Sequence, residues 1–195
     1  MKHLLLSTAL CLSLFAGANA QVTTSKGDRS DQINVKIHEV DLLLQILPLI
    51  LTKEQINGKL LPAIEKNRDL LRKELSYEDD ELAKMESILD DAIKGAYDKG
   101  AYPPRKTTDE VAGKTKSLGL KRSIVELEMV GAMTEVIDAT LNPGQKKAML
   151  GSFDPKFINP NIKPEAITDQ MKENFFIERV FLDPTTYEIL KKLVK

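Results

Sequence analysis

Cysteine, histidine and tryptophan are nearly missing from this chain of 195 residues, which holds one, two and none of them. The first twenty residues read as a secretory leader: basic Lys2, a short apolar run from Leu4 to Phe15, then the small-x-small site Ala18-Asn19-Ala20. Cleavage after Ala20 would remove Cys11 and His3 together. The remainder then has no disulfide, although export leads to an oxidising compartment, so packing alone must hold it. Leu10 precedes Cys11, inside the apolar run, where a lipid-modified cysteine wants a small neighbour at the leader's end. The expected location is extracytoplasmic, in the periplasm or the medium, and in solution.

The remaining absences exclude whole classes of chemistry. His38 stands alone after the leader, so no His-based metal cluster, no H-E-x-x-H and no C-x-x-C is present. A serine triad could use only His38, and no G-x-S-x-G exists to carry the nucleophile. No tryptophan is available to stack on a sugar, and no pair among the acids stands out for glycoside hydrolysis. Gly95 and Gly100 have phosphate-loop spacing, but Ala101 occupies the lysine position and no strand precedes them. Neither a catalytic residue, a cofactor nor a metal is therefore expected. Basic excess is absent too. The chain's 28 Lys and Arg face 29 Asp and Glu, and removal of Lys2 tips the balance one unit further to acid. Nucleic acid and anionic membrane both call for a cationic surface, so neither is expected as partner. No apolar run approaches the ~20 residues of a spanning helix; Leu42–Leu51 is too short and is interrupted by Gln45 and Pro48.

What is present is helical periodicity. Gln21–Asp31 is polar and reads as a flexible lead-in to a single all-helical domain over 32–195. Strict alternation rich in β-branched residues is nowhere found, so no sheet is expected. A first helix covers Gln32–Leu47 with Ile33, Ile37, Val40, Leu44 and Leu47 in one row. Thr52 opens a second with a capping box to Gln55, and Pro62 should kink it. A third starts at Ser76, with Glu78 and Asp79 in its first turn, and ends at Gly100. A surface helix over Lys106–Leu118 closes at Gly119. Leu120–Leu141 carries two adjacent apolar rows, one through Ile124, Leu127, Val130, Met133 and Ile137, the other through Val125, Met129, Ala132 and Val136. Such a wide arc is expected at the centre of a bundle. A short helix from Pro143, a loop over Phe153–Lys163, and helices over Pro164–Leu182 and Pro184–Val194 complete an all-α bundle of about eight helices.

Few residues then suggest function. His38, Glu39 and Asp41 cluster on the first helix, but a surface histidine beside carboxylates accounts for them. Glu78-Asp79-Asp80-Glu81 lacks the spacing of a calcium loop and suits the positive end of a helix dipole. Phe175, Phe176 and Phe181 concentrate three phenylalanines in one helix, and their offsets leave a candidate partner-binding patch beside the default of core packing.

Leu51-Thr52-Lys53-Glu54-Gln55 resembles the L-T-x-x-Q motif of the Spy/CpxP-like family of exported helical proteins. A second box, Leu141-Asn142-Pro143-Gly144-Gln145, has Asn as cap and proline at the first helical position. The resemblance implies Thr52, Gln55, Asn142 and Gln145 as structural caps. It further implies a thin helical cradle that dimerises and a stress-linked chaperone or regulatory role in the envelope. The boxes lie ninety residues apart, an apolar helix precedes the first, and roughly forty residues follow the second. Those additions would fill a cradle's concave face and close it into a bundle. The metal-responsive branch of the family uses His or Cys ligands, which this chain lacks after its leader. The expectation is a non-enzymatic envelope binding protein that takes a protein partner or an unfolded client, with a homodimer compatible with the resemblance. A structural or assembly subunit of an envelope complex is the alternative, and a carboxylate-dependent hydrolase comes third.

Overall fold

A computed structural model describes residues 28–195; the leader, its cleavage site and Gln21–Gly27 of the lead-in lie outside the described residues. The protein is all-α, with no strand among the described residues. Its contacts divide it after Asp41 into two units. In the first, Asp28–Asp41 is helical and exposes Ile33, Val35, Ile37 and Val40.

The second unit begins at Leu42, in the last turn of α1 (Asp28–Ile46), and continues through a 3-10 turn, Leu47–Leu49. Ile50 then adopts a left-handed conformation (φ 47°, ψ 52°), unusual for a β-branched residue. Thr52 caps α2 (Lys53–Gln55), and a π turn over Ile56–Leu60 leads into α3 (Leu61–Ala83). That π turn takes the place of the kink expected at Pro62. Proline near the start of α3 lacks the N–H that would reach back one turn, and the wider turn relieves its ring from the preceding carbonyls.

α3 does not stop at Ser76. It runs to Ala83, and after Lys84 and Met85 the chain resumes as α4 (Glu86–Lys99), closed by left-handed Gly100. The expected break at Gly119 is missing as well. α5 is one helix from Arg105 to Thr140, 36 residues or about 54 Å long. A single helical glycine costs only about 1 kcal/mol relative to alanine, which the packing of neighbouring Leu118 offsets. α6 (Pro143–Leu150), the single turn α7 (Pro155–Ile158), α8 (Asp169–Phe176), a second π turn (Ile177–Phe181) and α9 (Pro184–Leu193) follow.

One apolar core joins these elements. Ile56, Leu60 and Ile64 meet Val130, Met133 and Ile137 of α5, together with Leu42, Ile46, Leu49, Met149, Phe176, Ile177, Val180, Phe181, Ile189 and Leu190. Beyond this core α3, α4 and the first half of α5 extend as an arm. The expectation that Leu120–Leu141 lies at the centre of the bundle is corrected for its first turns. These belong to the arm, and Leu120, Ile124 and Leu127 are exposed (60, 57 and 66%) while Val125, Met129 and Val130 are buried.

Candidate functional site

The two capping boxes meet. Within each, the cap side chain accepts from the third residue: Gln55 N to Thr52 Oγ1 at 3.1 Å, and Gln145 N to Asn142 Oδ1 at 3.0 Å. Each glutamine oxygen accepts in return from the cap N–H, at 2.9 Å in both boxes. The two amides then bond each other reciprocally. Gln55 Nε2 donates to Gln145 Oε1 at 2.9 Å, and Gln145 Nε2 to Gln55 Oε1 at 3.0 Å. Their second N–H groups reach the carbonyls of Thr140 (2.7 Å) and Ile50 (3.3 Å). Every donor and both acceptor sites of each amide are thereby used, which only glutamine at both positions can achieve. A local pattern therefore serves a non-local purpose: it clamps the start of α2 to the start of α6.

A second feature is ionic. Glu74, Glu78 and Glu81 share one face of α3 and meet cations of α5. Lys121 pairs with Glu74 at 3.2 Å and lies 3.2 Å from the Tyr77 ring centroid. Arg122 takes Glu78 in a fork, its Nε at 2.9 Å from Oε1 and its Nη2 on Oε2. Lys114 and Lys84 both hold Glu81. Their hydrogen bonds bring the Glu81 carboxyl down to about 2. Glu78 and Glu81 thus stand in the last turns of α3, each paired with cations, rather than at a helix start. Nearby, burial raises Glu126 and Glu178 above the ordinary 4.5, and the carboxylates of Glu178 and Glu78 raise Glu126 further, against the pull of Arg122. Burial also raises Glu173, with Asp138 adding to it. Among the described residues no group of three or more His, Cys, Asp or Glu side chains could hold a metal ion. With Glu74 and Glu78 each held by a cation, the chemistry of this seam is structural ion pairing.

The third feature is apolar and open. α4 and the first turns of α5 enclose a groove of about 500 Å³ lined by Leu89, Ile93, Tyr97, Pro103, Val111 and Ala112, among others. Ile93 and Tyr97 are 51 and 87% exposed. Val111 stands seven residues before Leu118 and fourteen before Val125, so the groove continues the inward face of α5 past the point where α3 covers it.

The proposed phenylalanine patch is corrected. Phe176, the last residue of α8, and Phe181, the last of the π turn, are fully buried, with ring centroids 5.3 Å apart. Phe175 is half-buried, edge-on to Phe153 at 5.1 Å and beneath the Arg179 guanidinium. The groove escaped sequence reasoning, although the row Leu89, Ala92 and Tyr97 on α4 was visible. The missing signal was a partner helix, since α5's surface turns carry only Val111 as a large apolar residue there. No family model matches the chain, and neither does any curated protein or solved structure.

Proposed function

We propose that this chain is an exported, non-enzymatic binding protein of the cell envelope that shields exposed apolar segments of client proteins. The groove between α4 and α5 carries this reading. It presents aliphatic and aromatic side chains to solvent in a concave surface, the form in which apolar ligands are taken. The two helices that line it also carry exposed Lys94, Lys99, Arg105 and Lys106 among acids, which suits an unfolded chain of either charge. The secretory leader and the resemblance of the two boxes to the L-T-x-x-Q motif support the envelope setting. The ion pairs of the seam tie down carboxylates that a hydrolase would need free.

The test is light scattering by an unfolding client with and without stoichiometric chain. Suppression is expected, together with its loss in Ile93→Asp/Tyr97→Asp, whose exposed positions leave the fold intact. Unchanged scattering with a folded chain overturns the chaperone reading and turns the search to a dedicated envelope partner by pull-down. Full suppression by the double variant removes the groove from it.

A further inference from the structure

The two walls of the α4–α5 groove differ in size. On α4, Leu89, Ile93 and Tyr97 stand one per turn, 38, 51 and 87% exposed. On α5 the groove's Thr108 and Ala112 are followed by Thr115 and Gly119, which makes a row of four small, exposed residues. A Cβ built on Gly119 meets nothing within 4 Å. Large side chains beside a smooth wall leave a slot that another helix can enter closely. Further along, the same side of α5 is covered. Ala112, Gly119, Glu126 and Met133 recur every seven residues. Met133 is buried with Phe176 and Ile177, and Glu126 stands near enough to Glu178 for their carboxylates to repel. What covers that side in the bundle is helical, namely α8 and the second π turn.

Both walls of the slot are helices, whose N–H and C=O groups are bonded within them. An extended chain laid there would find no edge to pair with and would bury its own peptide groups unsatisfied. A helix brings those groups already paired. The rims add charge. One row outward from the apolar wall, α4 carries Glu86 and Asp90, and one row outward from the small wall, α5 carries Lys116. All three are exposed and enter no ion pair among the described residues. The short turn 100–104 returns α5 along α4, so these charges stand at the same end of the slot. We infer that the slot takes an amphipathic helix of a partner polypeptide, about three turns long, on the side of α5 that α8 and the π turn cover in the bundle. Its apolar side meets Leu89, Ile93 and Tyr97, its basic flank meets Glu86 and Asp90, and its acidic flank meets Lys116. The inference rests on the groove being the client site and adds the form and charge of the segment that it accepts.

The chain has no tryptophan, so a tryptophan on the apolar row of a synthetic peptide reports binding to the full chain by its blue shift. The probe is a helix-forming peptide with leucines at helical spacing, lysines along one flank and glutamates along the other. Saturable binding with a gain of helical circular dichroism is expected. A version broken by two central prolines should bind about tenfold more weakly or worse. Ile93→Asp/Tyr97→Asp should abolish binding. Ala112→Phe/Thr115→Phe fills the small wall and should weaken it about tenfold, although it adds apolar surface. Glu86→Lys/Asp90→Lys should turn the preference toward a peptide with glutamates on both flanks. All these positions are exposed, and an unchanged spectrum of each variant alone verifies folding. Equal binding of the proline-broken peptide overturns the inference, as does binding that Ile93→Asp/Tyr97→Asp leaves intact. If no peptide binds while suppression of client scattering still needs Ile93 and Tyr97, the helical occupant falls and the groove remains the client site. If scattering is indifferent to them as well, both readings fall. Self-association that requires Ile93 and Tyr97 and that the peptide does not reverse gives the slot to a second copy and overturns the inference.

Discussion

α3 and α5 touch twice, and by opposite means. At one end Ile64 meets Val130, Met133 and Ile137 in a dry core; at the other, three glutamates of α3 face Lys114, Lys121 and Arg122. The apolar end gains from every methylene removed from water. The ionic end must first desolvate both partners, and its balance depends on geometry, pH and salt. One interface thus joins a bundle built for stability to an arm whose attachment can be tuned, and the arm carries both the open groove and the exposed row.

Truncation in the core should break this contrast most visibly. Phe176→Ala is expected to cost about 3–5 kcal/mol, whereas Leu127→Ala, on the exposed row, should stay within about 0.5 kcal/mol. Denaturant unfolding of the two variants measures it, and equal losses would contradict the placement of α5. Next comes the seam. Arg122→Ala leaves Glu78, 5% exposed, without its fork and should cost about 2–3 kcal/mol. Glu78→Met/Arg122→Met together should cost much less, because the stranded charge disappears with its partner. Hydrogen exchange should place the loss of Arg122→Ala in α4 and the first half of α5. At the clamp, Gln145→Glu removes two donors and sets a carboxylate against the Gln55 oxygen, for about 1–3 kcal/mol. The same change at Gln55 on top of Gln145→Glu should cost more again, since it removes the Gln55 donors that still reach residue 145 and Thr140 and sets two carboxylates against each other.

The smallest effect sharpens the comparison by pH. Glu126 and Glu178 bind protons more readily folded than unfolded, so acidification from neutrality toward 4.5 should raise the melting temperature. Glu81 works the other way. Its contribution is complete above 4.5 and is lost as pH falls through about 2. Thermal melts should therefore peak in mild acid, and Glu178→Gln should flatten the rise on the neutral side. A melting temperature that falls steadily from neutrality to 4.5 would contradict the burial of these carboxylates.

Helical class was legible because the apolar spacing of nearly every segment has the helical period. The boxes were legible because Thr52-x-x-Gln55 and Asn142-x-x-Gln145 are complete within four residues. Their union was not, since a pairing across ninety residues leaves no local trace. Orientation failed on α5 for a related reason. With two adjacent apolar rows, the periodicity cannot say which one faces inward. The decision falls to Lys121 and Arg122, whose α3 partners pull the row of Leu118 and Val125 toward the seam and leave Ile124 and Leu127 outside. The helix ends assigned at Ser76 and Gly119 failed because continuous packing overrode weak local signals.

The glutamine clamp also has a consequence in time. The bond between Gln55 and Gln145 closes a loop of ninety residues, whereas the hydrogen bonds within each box span three. Closing so long a loop carries an entropic cost that local helices do not meet, and the amides are rewarded only once both boxes are in place. The boxes can form early in the refolding chain, and their union is expected after the rate-limiting barrier. Its loss would then leave the folding rate nearly unchanged and appear as faster unfolding. A clamp that forms so late would act as a latch, governing how long the native state lasts rather than how quickly it is reached.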